Sequence, residues 1–168
     1  HNRNAYIIDC DFDGVNNENR QAISVIDVDG LHVLRNRFAN CTKSTMPGVI
    51  DLEPNNNAFH IIRNVWIEEN RFDFCGGNVG TVCWNIPAAV PLMHNININR
   101  NTARNLNLSA GAGFIGSYLN VVVDADDIDM GLRIVGNDVR DSVGRPYQLR
   151  GVKGLRASGN VFVDMTLP

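Results

Sequence analysis

The sequence has no excess of positive charge and no long hydrophobic run. It contains 15 Lys and Arg residues against 18 Asp and Glu residues, a formal net charge of -3 at pH 7. Proteins that bind nucleic acid or an anionic membrane usually carry a basic patch, so neither is expected as the main partner. No apolar run approaches the ~18 residues that a membrane-spanning helix needs. No membrane segment is therefore predicted.

The familiar metal and nucleotide motifs are also missing. The four cysteines form no C-x-x-C pair, so no zinc site is predicted. An acidic run from Asp124 to Asp129 lacks the glycine and the terminal glutamate of an EF-hand and is interpreted as a solvated loop. The chain has no P-loop, dinucleotide fingerprint or G-x-S-x-G motif. No metal and no cofactor are expected.

The sequence does contain a repeat, in which alternating apolar residues lead to an asparagine. The complete copies cover residues 31–38, 65–72, 96–103, 132–139 and 155–162, with asparagine at positions 36, 70, 101, 137 and 160. An earlier copy, residues 5–12, has Cys10 in the asparagine slot. A repeat period of roughly 20–50 residues is typical of solenoids, propellers and arrays.

The pattern inside each copy favours one kind of solenoid. Its apolar residues alternate, as in a half-buried strand, and no stretch keeps a helical period. Asparagine at the end of a strand is a turn residue that tolerates the left-handed (αL) conformation, and stacked amides can bond to each other. Phe12, Phe38 and Phe72 lie two positions after their slots and should stack likewise, with Val139 continuing the column. We predict an all-β parallel β-helix of about five to six coils with an asparagine ladder, its coils ~4.8 Å apart.

Length indicates one domain over residues 1–168, with 44% hydrophobic residues to fill a narrow core. Unequal spacing of the asparagine slots predicts loops that leave the stack, including residues 75–79 and part of 105–129. The repeat runs close to both ends with no capping segment. The chain is therefore expected to be a piece of a longer β-helix, or to have its ends covered by a partner.

Two cysteines are predicted to be neighbours in the stack. Cys41 and Cys75 each lie five residues after an asparagine slot. Neighbouring coils can bring two Cα atoms within the ~4.4–6.8 Å that a disulfide spans. The favoured interpretation is nevertheless a pair of small buried side chains without a bond.

One strand, residues 48–54, carries the candidate catalytic groups. Alternation sends Ile50 and Leu52 inward and Asp51 and Glu53 outward, with the two acidic residues about 7 Å apart at Cα. Rotamers let this spacing serve a retaining or an inverting glycoside hydrolase. Two like charges in one site would also separate their pKa values, so that one carboxyl remains protonated. The alternative is two solvated side chains on a sheet face.

The same outward column predicts a sugar-binding strip. Alignment on a preceding glycine places this strand beside residues 80–86, then 113–118 and 147–150. The column then contains Glu53, Asn85, Tyr118 and Arg150. Amide and guanidinium groups bond to hydroxyl or acidic groups, and tyrosine offers a flat apolar face. The alternative is four unrelated surface residues, and Trp84 is placed in the inward column as core.

Through the asparagine repeat and the strand at residues 48–54, the chain resembles the right-handed parallel β-helix, pectin-lyase-like superfamily over residues 5–162. Its strand at residues 47–55 is similar to those of β-helix repeat proteins of bacteria and bacteriophages, including tailspike depolymerases. The right-handed twist follows from this resemblance alone. Members of the superfamily act on polysaccharides as hydrolases, lyases, epimerases or esterases, and some only bind. Tailspikes are homotrimers of the virion tail that cleave capsule or O-antigen with outward carboxylates.

The resemblance implies an extracellular or virion-associated enzyme that degrades a bacterial surface polysaccharide. Glu53 would protonate the leaving glycosidic oxygen, Asp51 would activate water or act as the nucleophile, and Asn85, Tyr118 and Arg150 would position the glycan. A polysaccharide lyase is less favoured because no aspartate cluster with a catalytic Arg or Lys lines up. The remaining alternative is a non-catalytic β-helix that binds glycan or has a structural role.

Overall fold

A computed structural model of the chain describes residues 1–14, 21–86, 92–119 and 130–167. These residues form strands, turns and bends, and none of them belongs to a helix, so no helix there can cross a membrane. The strands pair in parallel into three sheets, which the chain visits in turn. The prediction of an all-β, solenoid-like stack of parallel strands is confirmed.

Each pass of the chain contributes strands to sheet I, then sheet II, then sheet III. Sheet I contains β1 (Asn2–Ile8), β4 (Val28–Leu34), β7 (Ile61–Glu68), β11 (Leu92–Asn99), β15 (Arg133–Val135) and β18 (Arg156–Ser158). Sheet II contains β2 (Asp11–Asp13), β5 (Arg37–Ala39), β8 (Arg71–Asp73), β9 (Gly76–Gly77), β12 (Thr102–Arg104), β13 (Asn107–Leu108), β16 (Asp138–Val143) and β19 (Val161–Thr166). Sheet III contains β3 (Ile23–Val25), β6 (Ile50–Leu52), β10 (Gly80–Ile86), β14 (Gly113–Leu119) and β17 (Arg145–Gln148).

A column of hydrogen-bonded asparagines follows the turn between sheets I and II. Its members are Asn36, Asn70, Asn101, Asn137 and Asn160. Each amide except the last donates to the side-chain oxygen of the next member at 2.9–3.0 Å. Each also donates to a backbone carbonyl of the preceding layer at 2.8–2.9 Å. The side-chain oxygen of each asparagine accepts the backbone N–H of the residue in the slot one layer earlier. For Asn36 this residue is Cys10.

Positive φ angles recur in three columns and make the corners of each layer. One column immediately precedes the asparagine slots and contains Asp9, Arg35, Glu69, Arg100, Gly136 and Gly159. A second bends the strands of sheet I and contains Asn4, Gly30, Asn64, Asn95, Gly131 and Gly154. A third runs along sheet II, just after β5, β8 and β12 and inside β16 and β19, and contains Asn40, Phe74, Asn105, Asp141 and Asp164. The αL conformation is thus taken by the residue before each slot and not by the slot asparagine itself.

The core is a continuous stack of buried side chains between the three sheets. Phe12, Phe38 and Phe72 stack face to face at 4.9 and 5.0 Å between ring centroids, as expected. Ala103 takes the next place in this column. Its small side chain leaves room for Phe114 of sheet III, which meets Phe72 edge-on at 6.0 Å. Aromatic pairs favour both of these arrangements.

One expected loop is part of the stack. Residues 75–79 were expected to leave it, but Cys75 and the glycines of β9 are buried and pair with β13. Two glycines weaken the strand pattern in sequence, which is why this prediction is wrong. The other expected loop, within 105–129, contains β13 and β14, and its residues 120–129 lie outside the described residues. All four cysteines are unbonded, and Cys41 and Cys75 are both buried.

Replacing Asn101 by Ala tests the contribution of the asparagine column. Loss of this side chain leaves two buried donors of Asn70 without acceptors. Each unsatisfied buried group costs ~1–3 kcal/mol, so the free energy of unfolding should fall by about 3 kcal/mol or more. Urea denaturation measures the difference. The control is Asn107→Ala, where the side chain is exposed, and a loss as small as that of the control would contradict the assigned role.

Candidate functional site

Sheet III holds the predicted site residues in the expected register. Asp51 of β6 pairs with Cys83 of β10, and Asn85 pairs with Tyr118 of β14. Glu53 follows the end of β6 and donates its backbone N–H to Val25 at 2.8 Å. The alignment based on the preceding glycines is confirmed for these strands.

A cavity of about 220 Å³ lies against this part of sheet III, and we refer to it as the Asp51 cleft. It is lined by Pro47, Asp51, Glu53, Val79, Cys83, Trp84, Asn85 and Tyr118. The fold thus brings together four of the five predicted site residues. Arg150 lies outside the cleft. Its side chain is exposed, and its backbone bonds to the Ser117 hydroxyl in the adjacent layer.

Asp51 is far less exposed than expected. It alternates with the core residues Ile50 and Leu52, as predicted, yet only 1% of its surface is accessible. Burial, and then the nearby Glu53 carboxylate, raise the pKa of Asp51 from 3.8 to about 6. Both causes disfavour the charged form. The interpretation of Asp51 as a solvated surface residue is therefore wrong.

Two neighbours of Asp51 were missed by the sequence analysis. The Cys83 thiol donates to Asp51 Oδ1 at 3.4 Å, and Gln21 Nε2 donates to Asp51 Oδ2 at 3.4 Å. Burial raises the pKa of Cys83 well above its usual value, so this thiol stays protonated and acts as a donor. The alignment already placed Cys83 beside Asp51, which was the available signal. Gln21 precedes β3 and had no such signal.

Glycines let the backbone close over one side of the cleft. A Cβ atom at Gly116 would lie 2.1 Å from the Val79 carbonyl oxygen, and one at Gly48 would lie 2.7 Å from Cys83 Sγ. The Pro47 carbonyl accepts the backbone N–H groups of Val79 and Gly80, which holds this turn against the sheet. Glycine is the residue that permits such close approach. A larger residue at Gly116 would push the turn away and expose Asp51.

Trp84 behaves as the core residue that its register predicts. Its side chain is 1% exposed and packs in the core, and its Nε1 has no hydrogen-bond partner. It is therefore not available as a stacking platform for sugar. Tyr118, by contrast, is 49% exposed at the mouth of the Asp51 cleft.

No cluster of three His, Cys, Asp or Glu residues suitable for a metal ion occurs within residues 1–14, 21–86, 92–119 and 130–167. The acidic run from Asp124 to Asp129 lies outside the described residues. The chemistry available in the cleft is thus that of a carboxyl pair, a thiol, an amide and a phenol.

Comparison of the chain with protein-family models, with curated proteins and with solved structures finds no match.

The raised pKa of Asp51 predicts a pH-dependent term in stability. Between pH 3.8 and about 6 the folded chain keeps the proton that the unfolded chain has lost. The stabilisation from this proton is thus complete at low pH and is lost as the pH rises through 6, a change of about 3 kcal/mol at most. The variant Asp51→Asn lacks this pH-dependent stabilisation, because an asparagine side chain does not titrate. Relative to wild type, it should gain up to about 3 kcal/mol in free energy of unfolding between pH 4 and pH 7.

Urea denaturation of both proteins at several pH values measures this gain. Asp164→Asn is the matched control, because Asp164 is exposed and at an αL position that asparagine tolerates. It should keep the pH dependence of wild type. Equal pH dependence in wild type and Asp51→Asn would show that Asp51 titrates as an ordinary carboxyl.

Proposed function

We propose that this chain is a right-handed parallel β-helix domain of the pectin-lyase-like kind that hydrolyses a bacterial surface polysaccharide. In this proposal the β-helix has about five to six coils, and the asparagine column is the asparagine ladder that runs along its axis. The domain acts outside the cell or on a virion tail, as part of a homotrimer. Its substrate is a capsule or O-antigen chain.

The observation that supports this proposal most directly is the carboxyl pair in the Asp51 cleft. A buried carboxyl with a pKa of about 6 lies beside a second, half-buried carboxyl in a cavity. A general acid works best when its pKa lies near the operating pH, and paired groups with different environments divide the acid and base roles. The raised pKa makes Asp51 the better proton donor, the reverse of the roles expected from sequence.

The closeness of the pair favours a retaining mechanism. Asp51 and Glu53 line the same small cavity, and Glu53 is near enough to raise the pKa of Asp51. Inverting hydrolases keep their carboxyl groups ~6.5–9.5 Å apart to leave room for water, whereas retaining ones need only ~5–5.5 Å. Asp51 gives its proton to the glycosidic oxygen while a Glu53 oxygen bonds to the anomeric carbon and the leaving sugar departs. A water molecule then displaces Glu53 from the anomeric carbon, and the proton that this water loses returns to Asp51.

The other cleft residues hold the glycan in place. Asn85 and Tyr118 pair across β10 and β14 at the mouth of the cleft, where they can contact a sugar. The exposed Tyr118 ring offers an apolar face. Arg150 lies outside the cavity, so its guanidinium would meet a part of the polymer that extends beyond the cleft.

A non-catalytic role is the second candidate, and the burial of Asp51 favours it. Both carboxyl oxygens of Asp51 already have protein partners, Cys83 and Gln21. A buried carboxyl with its bonds satisfied can simply help hold sheet III together. The domain would then bind glycan or act as a structural β-helix, and activity measurements distinguish the two candidates.

Incubation with a panel of capsule and O-antigen polysaccharides, followed by mass spectrometry, tests the reaction type. We expect oligosaccharides that carry one added water per cleavage. Proton NMR of the first products should show the anomer of the substrate bond, as retention requires. Unsaturated products without the added water would mean elimination, and an intact panel would favour the non-catalytic candidate.

The variants Glu53→Gln and Asp51→Asn test the assigned groups on whichever glycan is cleaved. Each should lower kcat by at least about 100-fold because a nucleophile or a proton donor is lost, while glycan affinity stays close to wild type. Asp164→Asn serves again as the control and should retain activity. If both cleft variants cleave normally, the carboxyl pair is not the catalytic centre.

A further inference from the structure

The outer surface of sheet I carries a trough, separate from the Asp51 cleft on sheet III. It follows the second αL column, which lies inside β1, β4, β7 and β11 and just before β15 and β18. Two cavities of about 320 and 420 Å³ adjoin at Asn64 and together form the trough. Six strands spaced ~4.8 Å apart make the sheet about 24 Å across. The trough is therefore long enough for several units of a linear polymer lying along the stack.

One half of the trough is cationic. Arg133 of β15 and Arg156 of β18 pair in register and both line the larger cavity. Like charges directly opposite each other on neighbouring strands are destabilising. No hydrogen bond or ion pair joins either guanidinium to a carboxylate of the described residues. A bound anion would relieve this repulsion.

Several arginines elsewhere in the stack have carboxylate partners one layer away. Arg35 bonds to Asp9, Arg63 to Asp29 and Arg100 to Glu68, at 2.7–2.8 Å. The pattern follows from parallel stacking, which brings equivalent side chains into contact layer after layer. Arg133 and Arg156 depart from it at a cavity, so they are available to an external partner.

The other half of the trough is aromatic. Tyr6, His32 and Trp66 stack face to face, with ring centroids 4.8 and 4.6 Å apart. His32 and Trp66 line the smaller cavity, and Tyr6 is 61% exposed. Because the faces of the middle ring are covered, the column presents ring edges to the trough. It forms a rigid wall of apolar and polar edges, while Asn64 and Asn95 bring side-chain amides to the floor.

We infer that this trough binds a linear carboxylated glycan, with its carboxylates on Arg133 and Arg156 and its sugar rings along the aromatic wall. Guanidinium groups recognise carboxylates through paired, charge-assisted hydrogen bonds. Amides and ring edges suit hydroxyl-bearing sugars. Nucleic acid is the less suitable polymer because the chain as a whole is acidic. The inference does not depend on catalysis in the Asp51 cleft.

Titration calorimetry with oligosaccharides of alginate and of polysialic acid tests the inference, with dextran of equal length as the neutral probe. Wild type should bind at least one carboxylated glycan, more weakly as salt is added, and should bind dextran at least about tenfold less tightly. The double variant Arg133→Gln, Arg156→Gln should lose affinity by about tenfold or more. Both side chains are exposed, so the variant should fold. The variant Arg145→Gln, at an exposed arginine on sheet III, should bind as wild type does.

Tryptophan fluorescence gives a second readout. The chain has two tryptophans, and Trp84 is buried in the core. Glycan binding should change the emission of wild type and not that of Trp66→Phe. The inference is overturned if neither carboxylated glycan binds, if dextran binds equally well, or if the double variant keeps full affinity. Tighter binding of oligo-dT than of either glycan would overturn it in favour of nucleic acid.

Discussion

The hydrogen bonds of the asparagine column are the constraint on which the rest of the structure depends. Each amide bonds to the next asparagine and to a backbone carbonyl of the preceding layer, inside a turn where water is excluded. A shift of one residue in any layer would leave these groups unsatisfied in the interior, at a cost of several kcal/mol. The column therefore fixes the register of sheets I and II. Because the chain is continuous, it also limits how far the strands of sheet III can slip.

A fixed register has a chemical consequence, since equivalent side chains of successive layers must touch. Apolar columns gain from this contact, as the stack of Phe12, Phe38 and Phe72 shows. A column of like charges would repel. The column of Asp9, Arg35, Glu69 and Arg100 avoids this by alternating sign, with Arg35 bonded to Asp9 and Arg100 to Glu69. These pairs are exposed, so each is worth only ~0–1 kcal/mol. Their value lies in removing a like-charge contact that would otherwise repeat in every layer.

The repeat predicted the strands, their parallel order and the register of sheet III, because these follow from periodicity and from turn glycines that can be read directly. It did not predict the environment of Asp51. That environment depends on Gln21 and Val79, which reach the strand from segments outside the repeat frame. Alternation correctly gave the side of the sheet that Asp51 occupies, but burial depends on what covers that side. The sequence analysis also did not locate the αL positions. The asparagine supplies its amide to the column, while the bend falls on the residue that precedes it, including Arg35 and Glu69.

The pairing of charges also indicates which parts of the surface are candidates for function. In a stack that pairs its charges, sites that leave like charges together are exceptions with a cost, and such costs are commonly retained at functional sites. Two sites in the described part of the chain combine like charges with a cavity and with no ion pair. Asp51 and Glu53 place two carboxyls on one strand, and Arg133 and Arg156 place two guanidiniums on neighbouring strands. The first pair lowers its repulsion by holding a proton to about pH 6. Guanidinium groups remain charged at any physiological pH, so the second pair can be neutralised only by an anion from outside.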